Sequence, residues 1–112
     1  MRTEVIEIDV RFGKEYAGVY LFLEITWARR NRILQKYTKY NPQTGFVITT
    51  DYVAIQAEMI IASLREQPEN RPLTLEKLLS ESDDGIPIEL GELLSKTVNK
   101  LNAVSVEETK NS

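Results

Sequence analysis

Carboxylates are the only candidates for acid–base chemistry in this 112-residue chain, which contains no histidine and no cysteine. Composition therefore excludes disulfides, thiolate zinc sites, imidazole metal ligands, and Ser-His-Asp or Cys-His catalysis. The obvious pair is Asp83-Asp84, in an SDDG stretch that reads as a loop between helices. Adjacent acids in such a loop favour turns and the N-termini of nearby helices. A weak magnesium site would need a third ligand at useful spacing, and the sequence supplies none. Gly13, Gly18, Gly45, Gly85 and Gly91 stand apart and form no phosphate-cradling cluster. The expectation is a non-enzyme with no metal and no cofactor.

The cations are better organised. Arg29, Arg30, Arg32, Lys36 and Lys39 lie between Ile25 and Thr50 with no acid among them, whereas the remainder carries nine basic against seventeen acidic residues. A net charge of −3 thus hides a positive segment on an acidic body, a pattern that points to a charged partner. Arg29, Arg32, Lys36 and Lys39 follow spacings of three, four and three, which makes one stripe down a helix. Trp27, Ile33, Leu34, Tyr37 and Tyr40 fall on its other side. Such a stripe is either a solvated face, a dock for an acidic protein, or a set of phosphate contacts to nucleic acid. The acidic body opposes the last. Trp27, the only tryptophan, is expected to pack the start of the helix against a hairpin. Its alternative role is to anchor a partner, since exposed Trp and Arg are frequent interface hot spots. Tyr37 and Tyr40 divide the same way, a buried ring with an exposed hydroxyl being the default. The candidate partner-binding set is Trp27, Arg29, Arg32, Lys36, Tyr37, Lys39 and Tyr40.

Several elements must position that set. EVIEIDVRF alternates, with Ile6, Ile8, Val10 and Phe12 on one face, and predicts a half-buried strand. GKEY turns the chain, and GVYLFLEI, apolar on both faces, predicts a more buried strand paired back on the first. Thr26 is placed to cap a helix running through WARRNRILQKYTKY, which NPQTG ends. FVITT is a short extended piece. Thr49 or Thr50 is expected to cap DYVAIQAEMIIASLREQ, the central helix, whose stripe is Val53, Ala57, Ile60, Ile61 and Leu64, widened by Tyr52, Ile55 and Met59. After a PENRP loop, Thr74 caps a short helix. Pro87 then opens a last helix with Leu90, Leu94, Val98 and Leu101 on one face.

Together these predict one α+β domain over residues 1–103, an N-terminal β-hairpin packed on about four helices, with a flexible tail at 104–112. Val104 and Val106 are the only apolar side chains in that tail. No signal-type segment opens the chain, and AGVYLFL is far short of the ~20 residues of a membrane helix. A cytoplasmic location is expected.

The order of these pieces resembles the tail assembly chaperones of long-tailed phages and their proviral relatives. The matching stretches are LEITWARRNRIL, KYNPQTG, DYVAIQAEMIIASLRE and LLSKTVNKLNAVSVEETKN, together covering roughly Leu23 to Asn111. A C-terminal pattern of the family is met by Val98, Leu101, Asn102, Ser105, Glu107 and Glu108. The resemblance implies a non-enzymatic assembly factor that coats the tape-measure protein and recruits tail-tube subunits within the host cell. It also implies a second, longer product made by ribosomal slippage, which Thr109-Lys110-Asn111 permits in its codons. Self-association is left open. The alternatives are a small nucleic-acid-binding regulator using the basic helix, and a protein-interaction module with no viral connection.

Overall fold

Alternating apolar residues fold the N-terminus into strand β1 (Thr3–Ile8), with Ile8 buried and Ile6 half-buried. The alternation continues in sequence, but the strand does not. Asp9 Oδ1 accepts from the Arg11 amide at 3.0 Å and starts a 3-10 turn at Val10–Phe12. Gly13, at φ 123°, leads into a second turn at Lys14–Tyr16. Val10 is consequently 64% exposed, and only Phe12 of the outer pair reaches the core edge. Strand β2 (Gly18–Leu23) returns antiparallel, placing Ile6 opposite Tyr20 and Ile8 opposite Gly18. Gly18 has φ 142°, and a Cβ there would lie 2.7 Å from Pro68 Cγ, so both backbone and space demand glycine. Tyr20 and Phe22 are fully buried, Leu21 and Leu23 half-buried, and Val19 exposed.

The computed structural model describes residues 1–103. The expectations for Val104, Val106, Ser105, Glu107, Glu108 and the 104–112 tail lie outside the described residues.

Thr26 caps helix α1 (Trp27–Lys36) through its Oγ1, which accepts from the Arg29 amide at 3.2 Å. The helix is shorter than predicted. Thr38 Oγ1 donates to the Leu34 carbonyl at 2.7 Å, and the backbone then enters strand β3 (Thr38–Tyr40). Strand β4 (Val47–Thr50) pairs with it, Thr38 facing Thr50 and Tyr40 facing Val47. Here a local hairpin of β-favouring Thr, Tyr, Val and Ile overrides the helical spacing of Tyr37 and Tyr40.

Helix α2 (Tyr52–Ser63) is capped by Asp51, not by Thr49 or Thr50, because Thr50 is still paired in β4. Ala54, Ile55, Ala57, Met59 and Ile60 are buried, whereas Tyr52 and Val53 of the expected stripe are exposed. The helix also stops short of the predicted Gln67. Strand β5 (Leu64–Glu66) instead pairs antiparallel with the free edge of β2, giving a three-stranded sheet ordered β1-β2-β5. Helix α3 (Leu75–Leu79) is capped by Thr74 as predicted. Helix α4 (Ile88–Asn102) follows Pro87, and Leu90, Leu94 and Val98 are wholly buried with Leu101 close behind. Each such leucine contributes about 1.5–3 kcal/mol by leaving water. The core sits where α2 and α4 meet the sheet face carrying Tyr20 and Phe22. Among the described residues the fold is α+β, an N-terminal hairpin with four α-helices.

One polar residue ties these layers together. Asn102 accepts from the Ile25 amide at 2.8 Å and donates to Ser63 Oγ at 3.0 Å. Ser63 is itself fully buried. Asn102 thereby joins the end of α4, the link into α1 and the end of α2.

Candidate interaction surface

The positive segment folds into two pieces, α1 and the β3–β4 arm. Trp27 is the first residue of α1 and is 81% exposed, so the expected packing of this ring against the hairpin is not made. The reason is local: Thr26 turns the chain into the helix, and Ile33, one helical face away, supplies the burial instead. Arg29 and Arg32 are exposed on the same helix. Lys39 is not on it, because α1 ends at Lys36 and Lys39 stands in β3. The single four-cation helical stripe is therefore split between a helix and a strand.

Lys36 has a different job. Its Nζ lies 2.8 Å from Glu58 Oε1 on α2, and the Tyr37 hydroxyl donates to the same oxygen at 3.3 Å. The hydrogen bond to Glu58, followed by that with Tyr37, holds the Lys36 ammonium above the usual lysine range. Lys36 and half-buried Tyr37 thus latch α1 to α2. Arg29, Arg32 and Lys39 form no ion pair with acids among the described residues.

The arm is built with care. Asn41 Oδ1 accepts from the amides of Gln43 and Thr44 at 2.8 and 3.3 Å, and the Asn41 backbone exchanges bonds with Gly45 and Phe46. Gly45 takes φ 74°, a left-handed value that closes the loop. At its root the Asp51 amide donates to the Tyr37 carbonyl at 3.0 Å. Along its length Tyr40, Phe46, Val47 and Ile48 are exposed, Phe46 by 75%. The sequence-based site contained Tyr40 but not Phe46, Val47 or Ile48. Two β-favouring runs flanking Asn41-Pro42 and Gly45 were the signal that would have found them.

A second exposed apolar feature lies along α2. A groove of about 370 Å³ runs between α2, α3 and α4, lined by Val53, Ala57, Ile60, Leu78, Ile86 and Ile88 among others. Ile88 is 84% exposed. Gln56 also lines it, and its buried Oε1 has no hydrogen-bond partner among the described residues.

The carboxylate pair behaves as a turn. Asp84 Oδ1 accepts from Ser80 Oγ at 2.6 Å, and the Gly85 amide closes onto the Ser82 carbonyl. Among the described residues no three carboxylates gather into a metal-binding set. No helix among them is long and apolar enough to cross a membrane. No family model matches the chain, and neither the curated proteins nor the solved structures contain a significant match.

Proposed function

We propose that this chain acts by protein–protein contact, as a non-enzymatic assembly factor of the tail assembly chaperone kind that binds a tape-measure protein and brings tail-tube subunits to it. One observation supports this best. From Ile25 to Thr50 the surface combines exposed Trp27, Tyr40 and Phe46 with Arg29, Arg32 and Lys39, and carries no acid. Aromatic rings beside arginines are the residue types that anchor interfaces, and their charge selects an acidic partner. The matching motif at the end of the chain has a structural role as far as it is described: Val98 and Leu101 fill the core and Asn102 ties it.

Reversing Arg29 and Arg32 to glutamate should abolish binding to an acidic coiled-coil tape-measure fragment, read by pull-down or calorimetry, with an unchanged circular dichroism spectrum. Unaltered binding would remove this surface from the function. The nucleic-acid alternative makes a separate demand, binding to DNA or RNA at low salt that falls steeply as salt is added. A gel-shift titration that is blank at low salt eliminates it.

A further inference from the structure

The arm and the groove are complementary to each other. The arm and α1 carry five basic residues and no acid, while residues 78–95, which contribute Leu78, Ile86, Ile88 and Glu92 to the groove, carry five acids and no base. These acids are Glu81, Asp83, Asp84, Glu89 and Glu92, all exposed; Glu92 lines the groove and the other four belong to the same chain segment. Phe46 and Ile48 offer apolar side chains, and the groove offers an apolar floor edged by Val53 and Ile88. We infer that the β3–β4 arm of one copy of this chain docks into the α2–α3–α4 groove of a second copy.

The occupant is another copy because, among the described residues, nothing of the chain covers either patch. Phe46 and Ile48 are exposed in their own molecule, and so are Val53 and Ile88. The arm is fixed at its root by the Asp51–Tyr37 backbone bond, which leads directly into α2. A two-stranded hairpin is marginal in water unless something covers a face. Docking covers it. Since arm and groove are different patches, the contact is heterologous and generates either a closed set of copies or an open row.

Two variants and their mixture test this in the full chain. Phe46→Ser blunts the arm and leaves the groove; Ile88→Asp blocks the groove and leaves the arm. Both sites are exposed, and an acid at the first turn of α4 favours the helix, so both variants should fold by circular dichroism. By sedimentation, the unaltered chain should associate as concentration rises. Each variant alone should weaken that association at least about 30-fold, the effect of losing an interfacial anchor. Mixed together, the two should form a one-to-one complex through the intact arm of one and the intact groove of the other. A chain that stays monomeric throughout, an Ile88→Asp variant that associates like the original, or a mixture that forms no complex would each overturn the inference. No foreign protein enters the experiment, so its failure is distinct from failure of the partner-binding proposal.

Discussion

The body of the molecule and the β3–β4 arm use the same residue types to opposite ends. In the body, Tyr20, Phe22, Leu90, Leu94 and Val98 vanish from solvent against one another. In the arm, Tyr40, Phe46, Val47 and Ile48 sit on a two-stranded ribbon with little behind it and stay in water. Apolar composition alone cannot separate the two cases. What separates them is whether a second layer returns to cover the face, and in the arm none does within the described residues. The first region buries its apolar side chains for stability; the second leaves them in water.

The contrast breaks most visibly in the core. Leu94→Ala should cost about 2–5 kcal/mol in urea denaturation, as for a buried leucine whose cavity cannot fully collapse. A loss no larger than that of a surface change would mean the α4 face is not packed as described.

Alkaline pH probes the same region from another side. Burial, reinforced by neighbouring Tyr16, pushes the Tyr20 phenol from 10.0 up to about 12. Its hydroxyl donates to the Tyr16 carbonyl at 2.7 Å. A raised value means the neutral phenol is favoured in the folded state. Its stabilisation is complete below pH 10.0 and is lost as pH climbs toward about 12. The raised Lys36 ammonium acts with the same sign. Stability measured by urea midpoint should therefore fall across that window, and less so in Tyr20→Phe; identical slopes in the two proteins would contradict the assignment.

The smallest effect belongs to the arm. At concentrations where the chain is monomeric, Phe46→Ala should change stability by no more than about 0.5 kcal/mol, as for a surface site. A cost of core size would place the ring in a packed environment and dissolve the contrast between the regions.

Legibility in the sequence divides along similar lines. Helix α4 was readable in full, because Leu90, Leu94, Val98 and Leu101 recur at helical spacing and all four are buried. Thr26 and Thr74 were readable as caps for the same local reason. Strand β5 was not, because Leu64-Arg65-Glu66 has no strand signature of its own and is drawn out of α2 by the free edge of β2, some forty residues away. The end of β1 was missed because a single Asp9 cap outranked a continuing alternation. At the candidate surface, charge counting located the cations, but the bond from Lys36 to Glu58 spans 22 residues and left no local trace. Half of the arm was readable, FVITT reading as the extended piece that forms β4; β3 was hidden by a false period, Tyr37 and Tyr40 matching a helix that had already ended.

The Asn102 tie also sets a schedule. Its partners, the Ile25 amide and Ser63 Oγ, precede it by 77 and 39 residues. As the chain is synthesised, β1, β2, α1 and α2 emerge first, with their apolar faces uncovered. Contacts of such long sequence separation close slowly because loop entropy must be met before they reward it. Native closure therefore waits until α4 has left the ribosome to its last turn. During that interval the uncovered apolar faces are open to non-native contact.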